Sequence, residues 1–308
     1  MQRLRKPGKA LGLRFTLQEW ALCGVTMLWG ATFLVVRLCM QESGPFWFVG
    51  LRFSAASVAL LLCSLPVLRG ITRRELLGGT ALGMVIFCGF SLQTMGLVEI
   101  SAAQSAFITA FYVPLVPLFE LLLMRHRPKP SAWIGMALAF PGVLLLTGTE
   151  NISAGFGSGS GVTLLCAVAF AVEIVLTGVI VPGTNPRRIA CVELTVTALL
   201  GFASMPLAGE SPPPLSWLVV VGACGMGLLT ACIQSVIAWA QKTVPPTRAT
   251  IIYTGEPIWG GLFGYMAGER LPTTALLGCC LVVSGILVSS AKKHSRQAAN
   301  KPLARHSS

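Results

Sequence analysis

Aspartate is missing from this chain: all eleven acidic residues are glutamate. That argues against the Asp-rich magnesium sites of an intramembrane prenyl transferase. Histidine is nearly missing too. His126, His294 and His306 fall in a loop and in the tail, so no histidine-based metal site or triad is available within the hydrophobic blocks. No glycine-rich stretch runs into Lys-Ser/Thr at P-loop spacing, against an ATP-driven pump in this chain. No CxxC occurs. The ten cysteines stand singly apart from Cys279-Cys280, and nearly all lie in hydrophobic blocks as small packing residues. Charge is scarce as well: 11% of residues are charged, where a soluble domain needs about a quarter.

What is abundant is apolar sequence. Hydrophobic residues make up 54% of the 308 and gather in blocks of about twenty, the length that crosses a bilayer. We read ten spans: 20–39, 46–66, 76–97, 102–123, 131–148, 161–181, 189–208, 215–239, 249–268 and 272–291. The first is read as a retained span, because no small-residue cleavage site follows a short apolar core. The stretch 149–160 is the most linker-like, and Asn151-Ile152-Ser153 within it is read as a chance sequon.

The net charge of +12 follows from topology. Five basic residues precede the first block and five follow the last. Ten more sit in alternate loops at 67–75, 124–130, 182–188 and 240–248. Only Arg37 and Arg270 lie near the opposite face, and Arg52 lies within a span. By the positive-inside rule both termini are cytoplasmic, and no nucleic-acid partner is needed to explain the charge.

The two halves echo each other. "SLQT" at 91–94 matches "CIQS" at 232–235, an offset of 141; Arg52 then falls on Glu193. Later the offset becomes 143, which places Pro114 on Pro257, Arg127 on Arg270, Gly135 on Gly278 and Gly142 on Gly285. Five spans per half is odd, so the second half enters the membrane inverted. Such repeats are typical of secondary transporters, with substrate near the midplane between them. The expected fold is all-α and integral to the membrane: ten transmembrane helices as two inverted five-helix repeats, 20–148 and 161–291. A basic N-terminus (1–19) and a basic tail (292–308) are both expected inside.

"WGATF" at 29–33, "LRF" at 51–53, "GEP" at 255–257, "GER" at 268–270 and the closing glycines Gly278 and Gly285 resemble EamA-type members of the drug/metabolite transporter superfamily. The resemblance covers about 20–290. It implies a ten-helix, multi-pass carrier of the bacterial inner membrane, often an exporter of amino acids or related metabolites. One departure is Arg-His-Arg at 125–127, where the second half keeps Gly-Glu-Arg.

Glu256 and Glu173 are the carboxylates deepest in spans, about 12 Å and 18 Å from the nearest preceding ends at 1.5 Å per residue. A charge at that depth belongs against protein or water. Glu256 also begins a row at spacing four, Gly260, Gly264 and Gly268, that reads as a helix-packing face. Pro257 breaks the helix beside Glu256 and frees a carbonyl near Tyr253; Pro114 repeats the break beside Phe111 and Tyr112. Trp29 falls too deep for an interfacial belt, and both a cavity wall and plain burial account for it. Phe111, Tyr112, Tyr253 and Trp259 are candidates for an aromatic wall. Gln93 and Gln234 lie towards opposite faces and read as gate or lining residues. Arg52 reads as structural, bonding carbonyls, and Glu120 as a surface charge snorkelling near Arg125.

The expected function is export of a small organic solute by alternating access. Protons are partners if Glu256 or Glu173 couples transport, and no cofactor is implied. Monomer and homodimer stay open. A membrane enzyme would need a nucleophile–base or metal set that is not found, and the repeat disfavours a receptor without transport.

Overall fold

The computed structural model describes residues 15–100, 102–125, 128–147, 157–214, 216–266 and 273–290. Residues 1–14 and 291–308, with all the basic residues of the two terminal segments, the sequon, His126, Arg127, Gly268 and Arg270 lie outside them.

Thirteen α-helices and a short 3₁₀ turn (Pro206–Ala208) make up the described residues. In chain order they are α1 Leu17–Gly30, α2 Thr32–Cys39, α3 Pro45–Leu68, α4 Arg73–Glu99, α5 Ala102–Thr109, α6 Tyr112–Met124 and α7 Pro130–Thr147. Then follow α8 Ser158–Ile180, α9 Pro186–Ser204, α10 Trp217–Ala240, α11 Pro246–Tyr253, α12 Glu256–Met266 and α13 Ala275–Ser290. Five of them (α3, α4, α8, α9 with the turn after it, and α10) are long and apolar enough to cross a membrane. The protein is an all-α, multi-pass membrane protein.

Local chemistry explains where helices begin. Thr16 and Thr72 each form a capping box with the glutamate three residues on, Glu19 and Glu75. Prolines 45, 186 and 246 open α3, α9 and α11, where a missing N–H costs nothing. Carboxylates from far along the chain then cover these openings. Glu210 accepts from the Phe46 and Trp47 amides at 3.0 and 2.7 Å. Glu75 accepts from the Asn185 amide at 2.9 Å and pairs with Arg188 at 3.2 Å. Each places negative charge at the positive end of a helix dipole.

Glu120 does the same for α11, and here our surface reading is corrected. It is 2% exposed and accepts from the Thr247 amide at 3.1 Å and from the Thr247 hydroxyl. A helix N-terminus offers this carboxylate more than water at the membrane edge does.

Three of the spans are broken, two of them at the prolines expected to break them. α1 gives way to α2 at Ala31, α5 to α6 at Ala110–Phe111, and α11 to α12 at Thr254–Gly255. Proline explains the last two. Pro114 cannot donate to the Ala110 carbonyl, which accepts from the Val113 amide at 3.0 Å instead. The break at Ala31 was not expected. No proline is near; Gly30 weakens the helix there, and the Thr32 hydroxyl bonds back to the Trp29 carbonyl at 2.8 Å.

Small residues let the central helices approach closely. A Cβ on Gly83 of α4 would meet the Glu193 carbonyl of α9 at 2.7 Å. One on Gly227 of α10 would meet the Arg52 carbonyl of α3 at 2.5 Å. At the side of this bundle α7 and α13 pack on each other, with Gly135 against Gly285 and Gly142 against Gly278.

Candidate functional site

A cavity of about 70 Å³, counted as room for water centres, lies among the helices. That is room for several waters, at roughly 10–15 Å³ each. All three helix breaks border it: Trp29 and Thr32 flank the first, Thr109 and Tyr112 the second, Tyr253 and Glu256 the third. Irregular backbone at membrane depth is tolerated where it is buried in protein or lines a wet space.

Trp29, Tyr112, Glu173, Tyr253 and Glu256 therefore lie on one cavity, as do Gln93 and Gln234. The glutamines were placed apart, towards opposite faces; the cavity is long enough to reach both. Phe111 is corrected. It turns away from the cavity lining and sets its ring against Phe140, with centroids 5.4 Å apart. Phe111 falls in the break between α5 and α6, whereas Tyr112 is the first residue of α6 and lines the cavity. Trp259 is likewise absent from the lining.

The walls differ in chemistry. Trp29 meets Tyr253 edge-on at 5.1 Å, and the Tyr253 hydroxyl accepts from the Gln241 side chain at 3.2 Å. Glu173, 8% exposed, accepts from the Thr177 hydroxyl at 3.2 Å. The Glu256 carboxylate has no hydrogen-bonding or ion-pair partner among the described residues. Gln234 donates at 2.6 Å to Glu193, which is buried behind it.

Three lining residues were undervalued. Arg52 lines the cavity. Its Nε donates to the Thr230 hydroxyl at 3.0 Å and its guanidinium lies 4.6 Å from the centroid of Phe90; contrary to expectation, it bonds no carbonyl among the described residues. Phe90 and Phe170, edge-to-face at 5.2 Å, continue that wall. Arginine at mid-span was itself the signal; the phenylalanines carried none, being common in every block.

The core is closed on the side where α11 begins. Arg248 pairs with Glu19 at 2.8 Å, and also donates to the Ile286 carbonyl at 2.7 Å and to the Ser289 hydroxyl. Beneath the cavity Leu22, Val25, Val116, Ile237 and Ile252 form one buried cluster with Tyr253. No group of three or more histidine, cysteine or acidic residues fit to hold a metal ion is found among the described residues.

Comparison with known proteins places this geometry. The model of the EamA-like transporter family matches residues 17–148 and again residues 157–291. An uncharacterized inner membrane transporter of Escherichia coli K12, YedA, is 27% identical over 291 residues, covering 89% of this chain and 90% of its own. An uncharacterized transporter of Archaeoglobus fulgidus is 27% identical over 293 residues, 93% of this chain and 90% of its own. A protein of Streptantibioticus cattleyicolor named as a probable terminal-alkyne amino-acid exporter is 22% identical, over 92% of this chain and 97% of its own. A crystal structure shares the fold with a TM-score of 0.69 at 20% identity, covering 88% of this chain and 96% of that one.

Proposed function

Because this chain belongs to the EamA-like transporter family, whose members are transporters rather than enzymes, we propose that it carries a small organic metabolite, an amino acid or a close relative, outward by alternating access. The observation that carries this reading is the cavity. It takes Trp29, Gln93 and Tyr112 from the first half and Glu173, Gln234 and Glu256 from the second, and every helix break opens onto it. The amino-acid class draws on the relative named as an amino-acid exporter.

The ten crossings form two inverted repeats, 20–148 and 161–291, with the basic segments 1–19 and 292–308 cytoplasmic. The neighbour pattern supports this. Exchanging each span with the one five later carries α3 against α10 onto α9 against α4, and α4 against α8 onto α10 against α1. At an offset of 143 the contact of Gly135 with Gly285 becomes that of Gly278 with Gly142. A contact that maps onto itself when its two sides are exchanged is what a two-fold axis produces. Gln93 and Gln234 line the cavity towards its two gates. Glu256 and Glu173 are the candidates for binding a proton or an amine.

Transport of labelled amino acids into sealed vesicles, with and without an imposed pH gradient, tests the proposal. Saturable counterflow is expected, and protein-free rates for every amino acid tried would sink it.

A further inference from the structure

Arg52 is 4% exposed and keeps its charge in any protein environment. Its Nε is spent on Thr230 and its face on Phe90. Its two terminal nitrogens make no hydrogen bond among the described residues. The two ion pairs found among those residues, Arg188 with Glu75 and Arg248 with Glu19, do not involve it. A buried cation without an anion is strongly unfavourable, and this one borders the cavity.

We infer that Arg52 is the anion-binding end of the cavity and pairs with a carboxylate on the transported solute. Thr230 and Phe90 hold the guanidinium plane, leaving its outer edge free for the two parallel N–H···O bonds that suit a carboxylate. The opposite charge lies further along. Arg52 is seven residues, about 10 Å, from the start of α3, and Glu173 is seven residues, about 10 Å, from the end of α8. Both helices begin on one face: Ser158 at the start of α8 bonds Glu99 at the end of α4, which runs antiparallel to α3. The cavity is thus cationic towards that face and carboxylate-lined towards the other, with Glu256 between. A zwitterion fits with its carboxylate on Arg52, its amine towards Glu256 and its apolar body along Phe90, Phe170 and Trp29. This rests on the amino-acid reading of the same cavity and adds which residue takes which end.

The test uses the purified full-length carrier in detergent, with thermal unfolding followed against three probes. These are phenylalanine, hydrocinnamate (which lacks the amine) and phenethylamine (which lacks the carboxylate). In the unaltered protein the two carboxylates should raise the midpoint at concentrations at least about tenfold below those phenethylamine needs. Arg52→Gln should abolish that preference, whereas Arg187→Gln, which removes an exposed charge away from the cavity, should retain it. Arg52→Gln without ligand should unfold no earlier than the unaltered protein, because an unpaired charge has been removed; a structural arginine would make it unfold earlier. A preference for phenethylamine, no response to either carboxylate, or an undiminished carboxylate preference in Arg52→Gln overturns the assignment. Counterflow in vesicles separates this from the transport reading. Carboxylate binding through Arg52 without counterflow refutes transport of these solutes and leaves the anion site standing.

Discussion

Glu256 stands before a proline, a carboxylate beside a helix breaker at membrane depth. The structure resolves that tension. Pro257 is the second residue of α12, in the first turn, where backbone N–H groups have no intrahelical partner, so its missing donor costs nothing there. Glu256 is the first residue of the same helix and sits on the positive end of its dipole. The break thus builds a place for a carboxylate at cavity depth. Glu256→Gln keeps size and much of the hydrogen bonding and removes the charge. Transport in vesicles should fall at least about tenfold, about 1.4 kcal/mol in transition-state terms, with near-normal expression. If the carboxylate carries a proton, pH-driven accumulation fails while exchange survives; if it binds an amine, both fail. Full activity at matched protein amounts would remove Glu256 from the site. Its depth was legible in the sequence because span limits and rise per residue suffice to compute it. The partner of Glu120 was not. Thr247 lies 127 residues further on, and nothing local distinguishes a carboxylate that caps a distant helix from one that snorkels.

At the scale of elements, proline is an incomplete guide to breaks. Pro114 and Pro257 each mark one, but Pro66, Pro117 and Pro141 lie inside continuous helices. The break at Ala31 has no proline at all. What the three breaks share is the cavity beside them, a tertiary fact that no single span displays. Glycine register was more informative, because close approach demands it. Gly135 and Gly142 on α7 fall opposite Gly285 and Gly278 on α13, two contacts that the offset of 143 carries onto each other. A Cβ at Gly285 would lie 2.5 Å from the Gly135 carbonyl and 2.9 Å from Ala139. Both neighbours lie in helix and cannot move aside cheaply. Gly285→Leu should therefore destabilise the protein by about 1–3 kcal/mol or more through overpacking. α7 and α13 give no residue to the cavity lining, so the order of preference among solutes should persist in protein that still folds. Unfolding curves in detergent and competition counterflow read the two effects separately. An unchanged midpoint would mean that these helices are not packed as described.

Across the whole molecule, orientation is carried by charge, and the structure supplies better reporters for it than the sequence did. Arg188 is tied to Glu75 and to the Val67 carbonyl, so replacing it disturbs a packed corner. Arg187, its neighbour, is exposed, and its side chain makes no hydrogen bond or ion pair among the described residues. Ser211, exposed in the loop between α9 and α10, lies at the other end of α9. The ten native cysteines must be replaced first. Cys63, Cys88, Cys232 and Cys280 are exposed, whereas Cys39, Cys166 and Cys191 are buried and call for replacements of similar volume. In that background Arg187→Cys should react with an impermeant thiol reagent only after the cells are opened, and Ser211→Cys should react in intact cells. The expectation follows from the twenty basic residues in the termini and alternate loops against two near the opposite face. If position 187 is labelled from outside and 211 is not, the carrier is inverted. The closed core around Arg248 and Glu19 would then face outward, and the Arg52 end of the cavity would take its solute from the cytoplasm. If both label in intact cells, α9 does not cross the membrane and the inverted repeat fails with it.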